Sequence, residues 1–457
     1  MPESQEIAHR RSPDCRHRWA ADDAEPGDAL DYLAARLDQR PLFYFEHPQA
    51  QAALVACGEA HAIRSSGAGR FAEAAREARL LGERLCPSGA DGPPLVGGFG
   101  FAPDAATSMW WREFPPLWMF LPLEALVRRG NRVTRYTVEP CGGLSAASPG
   151  ASSAGVQSAA SLAKAVGRLD CSASVDVGHA HVGESEATGA EDRRWRERVE
   201  RVLSDIASGR VRKVVLSRSI SGSLVGSADV IAMLRRLRET RPGCYTFLIA
   251  AGETVFLGST PELLVRRSRE WVETQSLAGT IGRAADERVD RESAAALQAS
   301  DKDAREHLEV TRGILEALGP VTEDLEVAPR PRILEVPEAY HLHTPIRGRL
   351  KTAASALDLA GLLHPTPAVC GMPRAETARR LAAEEPDRGW YSGAVGWMDP
   401  SGDGEFAVAL RSALLDRGRY VCWAGAGIVA GSEPEAELAE TETKMRAARS
   451  ALLQDRP

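Results

Sequence analysis

The second half of the chain alternates apolar and polar positions in a way that predicts a series of strands. Residues 212–220 have an apolar face and a face that carries a lysine among smaller residues: Val214, Leu216 and Ile220 against Lys213, Val215, Ser217 and Ser219. Further strand patterns cover residues 245–250, 255–257, 263–267, 393–398, 405–415 and 420–424.

Helix-like spacing separates several of these strands. Residues 193–207 have the apolar period of a helix, and a second helix runs from a cap at Ser300 to residue 318. A third, ending near residue 453, opens with Ser432 and Glu435, which match an S-x-x-E capping box. Strands in series with intervening helices predict an α+β fold with mainly antiparallel sheets.

A segment rich in Ser, Ala and Gly, residues 141–167, divides the sequence into two parts. It cannot bury much apolar surface, so we expect a flexible connection or surface insertion. The N-terminal part, residues 1–190, holds a helix-like pattern at 29–37 and an apolar segment, LVGGFGF, whose glycines predict bulges or close backbone approach. The C-terminal part, residues 191–457, carries most of the strand and helix patterns.

The composition is that of an ordinary globular protein, with 44% hydrophobic and 26% charged residues among 457. A formal net charge of −7 gives no general attraction to phosphate backbones, so we expect no nucleic-acid partner. The apolar run at 117–127 is too short to cross a bilayer, so no membrane partner is expected. The eight cysteines form no CxxC pair, which is typical of reduced thiols in a cytoplasmic enzyme.

The last helix pattern carries candidate chemistry on one face. Glu437, Glu440 and Lys444 lie at i, i+3 and i+7, although a solvent-exposed helix face has the same pattern. The preceding AGAGIVAG brings glycine N–H groups beside the helix N-terminus, which favours an anionic ligand. It is not the dinucleotide fingerprint, because its third glycine falls one residue late for GxGxxG.

Acid, base and metal chemistry has candidates elsewhere. Asp303 and Glu306 share a helix face, and carboxylates from two helices can form the hard-oxygen site that suits Mg²⁺; helix capping and solvation are the alternatives. Lys213 lies in an apolar strand, where burial favours a neutral amine base, unless its side chain reaches water. Glu262, in STPELL, follows a proline turn where a carboxyl can keep its proton and act as an acid.

Four histidines lie in closely spaced pairs. His179 and His181 have a metal-like spacing without a third ligand, so we expect a surface pair. His341 and His343, in YHLHTPIRG, are expected to be core histidines that hydrogen-bond to the backbone.

Seven ordered motifs together resemble the chorismate-binding enzymes. They are KVVLSRS, GSTPELLV, SLAGTIGR, SDKDAREHLEV, LLHPTPAVCGMP, YSGAVGW and AGAGIVAGSEPEAELAETETK. The resemblance covers about residues 190–455, and the N-terminal part matches loosely through LVGGFGF. It implies a large sandwich of two mainly antiparallel β-sheets with helices packed outside, enclosing one active site.

The resemblance also implies a role for each matching residue. Lys213 would be the base that activates water for attack at C2 of chorismate, and Glu262 the acid that protonates the departing C4 hydroxyl. Glu306 and Glu440 would hold Mg²⁺, with Glu437 acting directly or through water. The positions where the family contacts substrate are Gly279, Thr280, His341, Tyr391, Arg411, Gly427 and Lys444.

Within the family, the motifs resemble isochorismate synthases, which interconvert chorismate and isochorismate. Ala278 stands where aminodeoxychorismate synthases carry a nucleophilic lysine, and Lys213 favours water over ammonia as the nucleophile. HPTPAVCG is similar to siderophore-pathway enzymes that lead to salicylate or 2,3-dihydroxybenzoate. Salicylate synthase, a menaquinone-pathway isochorismate synthase and a catalytically silent homologue are the alternatives. We expect a cytoplasmic monomer or weak dimer whose product passes to a downstream isochorismate-using enzyme.

Overall fold

The computed structural model describes residues 17–25, 27–87, 91–104, 108–140, 189–224 and 228–452. The predicted flexible segment at 141–167 and the pair His179 and His181 lie outside these residues. Among the described helices, none is long and apolar enough to span a membrane.

The first sheet has 11 antiparallel strands within the described residues. In their order across the sheet they are β1 (His17–Asp23), β8 (Arg132–Pro140), β7 (Glu124–Arg129), β3 (Ala52–Cys57), β2 (Leu42–His47), β10 (Tyr245–Ala251), β11 (Thr254–Thr260), β20 (Ser412–Asp416), β21 (Arg419–Ile428), β9 (Lys213–Ser223) and β17 (Gly371–Met372). The β9 strand is bordered on one side by the long β21 and on the other by the two-residue β17.

The second sheet has 10 strands by the same description. In order they are β14 (Thr322–Val327), β16 (Ala339–Leu350), β13 (Trp271–Gly282), β12 (Leu263–Ser268), β19 (Gly404–Val408), β18 (Ala394–Met398), β5 (Leu95–Phe99), β6 (Leu117–Leu121) and β4 (His61–Ser65), with β15 (Arg332–Val336) also paired to β16. Strands from before residue 141 and after residue 188 pair directly in both sheets, β2 with β10 and β5 with β18.

Helices cover the outer faces of both sheets. In the described residues they are α1 (Ala29–Ala34), α2 (Arg70–Leu85), α3 (Gly189–Ala207), α4 (Val230–Thr240), α5 (Glu287–Ala299), α6 (Asp301–Leu318), α7 (Ala356–Leu363), α8 (Arg374–Glu384) and α9 (Pro434–Leu452), with short 3₁₀ turns at Pro48–Ala50, Met109–Trp111 and Pro386–Arg388. Apolar residues of α1 and α4 pack on the first sheet, and those of α2, α6 and α7 pack on the second. The inner faces meet in an aromatic cluster that includes Phe247, Phe256, Trp118 and Trp390.

This arrangement confirms the predicted α+β sandwich of two antiparallel sheets with helices outside. The glycines of LVGGFGF also behave as predicted, because a Cβ on Gly97 would overlap the carbonyl oxygen of Trp118 and one on Gly98 would overlap that of Ala394. The cap of α6 is confirmed, since Ser300 Oγ accepts a hydrogen bond from Asp303 N (3.2 Å).

Two local predictions are wrong. Residues 405–415 do not form one strand: β19 and β20 lie in different sheets, and the chain crosses between them at Arg411, whose φ is +47°. The capping box at Ser432 does not form, because α9 begins at Pro434. Ser432 Oγ instead accepts a hydrogen bond from Val429 N (3.2 Å), and Glu435 pairs with Arg196 of α3 (2.5 Å).

Candidate active site

Lys213 begins β9 and is fully buried, with 0% of its surface exposed. Its Nζ forms an ion pair with Glu306 Oε1 of α6, 2.9 Å away. A Cβ on Gly427 would overlap that same Glu306 oxygen and lie 3.0 Å from Lys213 Cε. The absence of a side chain at Gly427 therefore lets the lysine and the carboxylate meet across β21.

Glu262 lies in the turn between β11 and β12, where the Val408 N–H donates to its carbonyl oxygen (2.9 Å). The residue is 5% exposed, and burial raises the pKa of its carboxyl to about 7. The positive charges of Lys213, Arg411 and Lys444 act on this carboxyl and oppose the rise. Glu262 can therefore carry a proton near neutral pH although cations surround it, as a general acid must.

A bulge in β13 shapes the opposite side of the site. Its pairing with β16 shifts between Ala278 and Thr280, and Gly279 has a φ of +78° that favours glycine. The shift places Thr280 beside His341, with 2.9 Å between Thr280 Oγ1 and His341 Nδ1. Burial and the nearby charges of Arg411 and Lys444 lower the pKa of His341 well below its ordinary value, so the ring is neutral.

Arg411 enters the site where the chain crosses from one sheet to the other. Its Nη2 lies 3.5 Å from His341 Nε2, and its Nε, which is buried without a hydrogen bond in the described residues, lies 3.8 Å from Glu338 Oε1. A positive φ at an arginine is strained backbone, held by the strands on both sides. A buried guanidinium N–H without a hydrogen bond is suited to bind a carboxylate.

Tyr391 is buried beside the same group of charges. Its ring stacks on Trp423 of β21, with 6.0 Å between ring centroids. Burial raises the pKa of its phenol, on which the charges of Arg411 and Glu262 also act. The hydroxyl is therefore a neutral hydrogen-bonding group within this cluster.

Three carboxylates from α6 and α9 are each paired with a lysine. Glu306 faces Lys213 as described, the Lys302 ammonium lies 2.8 Å from Glu437, and the Lys444 ammonium lies 2.5 Å from Glu440. Lys444 Nζ also donates to the carbonyl oxygen of Gly425 (2.9 Å). The Lys444 side chain is thus held both to β21 and to Glu440 of its own helix, α9.

The three carboxylates have the oxygen chemistry that suits a divalent hard cation. Burial and the neighbouring charge of Glu440 raise the pKa of Glu437, and the charges of Glu437, Glu306 and Glu440 all act on the single ammonium of Lys302. Carboxylate oxygens that converge on one cation are the ligands that Mg²⁺ takes from proteins. Within the described residues, no group of three acidic, His or Cys side chains is already arranged around a metal-sized position, so the predicted metal role of these three residues stays a prediction.

The structure therefore brings all the predicted site residues into one cluster, although their individual roles stay predictions. Sequence reasoning missed Lys302, although this residue lies in the SDKDAREHLEV motif and in the first turn of the predicted helix, α6. It also missed the main-chain role of Gly425. The expected main-chain interaction is present for His341, with Gly279, beside its contact with the Thr280 side chain, whereas His343 contacts the Gln275 side chain instead (3.0 Å).

A fully buried lysine, a buried arginine N–H without a hydrogen bond and a carboxyl with a raised pKa, all between two sheets, define an α+β enzyme that acts on a small anion. The chain belongs to the chorismate binding enzyme family, which matches residues 15–453. It is 36% identical over 444 residues to a salicylate biosynthesis isochorismate synthase of Pseudomonas aeruginosa, covering 95% of this chain and 89% of the relative.

Two further similarities cover different fractions of the chain. Isochorismate synthase DhbC of Bacillus subtilis is 40% identical over 261 residues, which is 55% of this chain and 66% of the relative. The structure of MenF, the menaquinone-specific isochorismate synthase of Escherichia coli, superposes with a TM-score of 0.75 at 26% identity, covering 98% of this chain and 96% of that one.

Proposed function

We propose that the protein is an isochorismate synthase, an isomerase that interconverts chorismate and isochorismate with Mg²⁺ as its metal ion. The joint burial of Lys213 and Glu262 carries the proposal, because a fully buried lysine and a carboxyl with a pKa of about 7 share one electrostatic cluster. The three similar enzymes named above are all called isochorismate synthases, which supports the same activity.

The proposed reaction exchanges one hydroxyl position for another. Lys213 Nζ takes a proton from water as the water oxygen bonds to C2, the ring double bonds shift, and the C4–O bond breaks. Glu262 gives its proton to the departing hydroxyl, which leaves as water, so atoms and charge balance. The two groups exchange roles in the reverse direction.

Other residues hold the substrate, a dianion. Arg411 and Lys444 bind its carboxylates, Tyr391 and Thr280 offer hydroxyls, and the neutral His341 lies against the ring. The glycines at 279, 425 and 427 allow main-chain approach. Glu306, Glu437 and Glu440 would hold Mg²⁺, which when bound supplies positive charge to a substrate carboxylate.

The experiment is product analysis with purified protein, chorismate and Mg²⁺, by liquid chromatography. We expect isochorismate in equilibrium with chorismate. Substantial salicylate and pyruvate without a second enzyme would instead identify a salicylate synthase, and no conversion would identify a silent homologue. Lys213→Ala should lower turnover by about 10² to 10⁴ while chorismate binding stays measurable by calorimetry, since the substitution removes a proton acceptor and leaves the anion-binding groups in place.

The pathway belongs to the same proposal. We propose that isochorismate passes to a downstream enzyme of salicylate or 2,3-dihydroxybenzoate formation in the cytoplasm. The Pseudomonas aeruginosa relative, whose similarity extends over 95% of this chain, is named for salicylate biosynthesis and supports the first branch.

A further inference from the structure

The edge of the first sheet is incomplete beside Lys213. β17 pairs with β9 only at Lys213 and Val214, and Val215 N makes one further hydrogen bond to Cys370 O (2.7 Å). The next outward-facing main-chain groups of β9 are the carbonyl of Val215 and the N–H and carbonyl of Ser217. Buried main-chain groups of this kind require partners.

Three charged side chains supply these partners where a strand is missing. Arg388 Nη2 donates to the Val215 carbonyl (2.5 Å), Ser217 N donates to Glu385 Oε1 (3.0 Å), and Arg198 Nη1 donates to the Ser217 carbonyl (2.9 Å). We call Arg198, Glu385 and Arg388 the edge cluster. The edge cluster continues the hydrogen bonding along the edge of β9 with side-chain groups, where a neighbouring strand would use main-chain groups.

Glu385 is the centre of the edge cluster. Its carboxylate pairs with both arginines and also accepts from Ser217 Oγ (2.6 Å), and its side chain is only 7% exposed. The residue caps the C-terminus of α8, where its N–H donates to the Leu381 carbonyl (2.8 Å), so the carboxylate is held on a fixed helix end. One buried anion therefore joins α3 and α8 to the strand that begins with Lys213.

The edge cluster also reaches the other side of the site. The Arg388 carbonyl accepts from Tyr391 N (2.9 Å), and Arg388 Nη1 donates to the Val369 carbonyl (2.9 Å). Because the Lys213 side chain is fully buried and its Nζ lies 2.9 Å from Glu306 Oε1 of α6, the position of the amine depends on where β9 lies relative to α6. A small shift of that strand moves the amine relative to the substrate.

We propose that Glu385 is a positioning residue for the reaction, which sets the place of Lys213 and Tyr391 through the edge cluster without touching substrate. The inference rests on the proposed role of Lys213 as the base. The groups that hold the substrate's carboxylates, Arg411 and Lys444, lie outside β9, so loss of Glu385 should affect turnover far more than substrate binding.

The test is Glu385→Gln, compared with Glu384→Gln, which changes a neighbouring exposed glutamate that pairs with Arg380. We expect kcat to fall by about 10² for Glu385→Gln, because a misplacement near 1 Å has about that effect, with KM within about threefold. Hydrogen exchange should accelerate in the peptide that contains residues 213–217 and not across the whole chain. Glu384→Gln should keep kcat within about twofold.

A kcat within twofold of the wild type in folded Glu385→Gln would overturn the inference, and so would exchange that accelerates uniformly along the chain. If Glu385→Gln does not fold, Ser217→Ala removes one hydrogen bond to the same carboxylate without changing charge. It should lower kcat about fivefold at unchanged KM, and an unchanged kcat would then reject the inference. Failure of the wild type to convert chorismate would contradict the proposed function instead.

Discussion

At the scale of single residues, the site depends on a contact that leaves no room for a methyl group. Gly427 faces both Lys213 and Glu306, and a Cβ there would overlap the carboxylate. We expect Gly427→Ala to lower kcat by about 10², because the lysine and glutamate must separate, while the protein still folds. Steady-state kinetics and circular dichroism measure the two effects.

The matched control is Gly282→Ala. Gly282 is the last residue of β13, the strand that contains the bulge at Gly279, and a Cβ there would meet open space. It should keep normal turnover. If Gly427→Ala also turned over chorismate at the wild-type rate, the close approach of Lys213 and Glu306 would not matter for the reaction.

The Glu262 carboxyl should determine how kcat/KM depends on pH on the alkaline side. The carboxyl must carry its proton to act as the acid, and burial raises its pKa to about 7 in the free enzyme. With chorismate as the substrate, kcat/KM should therefore decline as the pH rises through about 7, since this parameter reports groups of the free enzyme. Initial rates measured from pH 5.5 to 9 test this. A kcat/KM that rises continuously to pH 9 would assign the acid to another group.

At the scale of strands and helices, sequence reasoning succeeded where the pattern is local and failed where pairing with distant strands decides the structure. The alternation around Lys213 predicted which face of β9 is apolar, because that face packs under helices and leaves a regular period. Residues 405–415 are mostly apolar and predicted one strand, yet the chain changes sheets at Arg411. A local pattern does not contain that crossing, because it is set by pairing with β12 on one side and β11 on the other.

The N-terminus of α6 and the first turns of α9 are linked by an ion pair that sequence reasoning missed. Glu437 is 1% exposed and its carboxylate is 2.8 Å from the Lys302 ammonium. Removing one partner of a buried pair leaves an uncompensated charge. We expect Lys302→Gln to lower the melting temperature of the metal-free protein, and Mg²⁺ to raise it more than in the wild type, because the ion can supply the missing charge.

Thermal melting with and without Mg²⁺ measures this difference, and calorimetry should show tighter Mg²⁺ binding by Lys302→Gln. Lys351→Gln, at an exposed position just after β16, is the control and should melt like the wild type in both conditions. If Mg²⁺ raised the melting temperature equally in all three proteins, Glu437 would not be part of the metal site.

At the scale of the whole molecule, the cluster exists only because two sheets and two helices converge. The motifs predicted which residues take part, because each motif is short and carries its own chemistry. Their mutual approach depends on tertiary contacts, as with Glu385, which lies in no motif and reaches Ser217 from 168 positions along the chain. The predicted boundary at residue 190 stays a prediction, and β2 and β5 already pair with strands of the C-terminal part.

The buried acid should also lower the stability of the whole fold at alkaline pH. The pKa of Glu262 is about 7 in the folded protein against an ordinary value of 4.5, so the folded state binds the proton more tightly than the unfolded state. The stability contribution is therefore fully present below pH 4.5 and is lost as the pH rises through 7. Above that, it amounts to a loss of about 3 kcal/mol in the free energy of unfolding.

Glu262→Gln keeps a similar shape and cannot ionise, so it should melt at a higher temperature than the wild type at pH 8, and with a smaller difference at pH 5. The comparison of the two proteins at the two pH values isolates the carboxyl, because every other titrating group is common to both. The variant should at the same time lose turnover, since it has no proton to give. Equal melting temperatures at pH 8 would mean that the carboxyl ionises without cost, and an acid with an ordinary pKa could not remain protonated for the reaction at neutral pH.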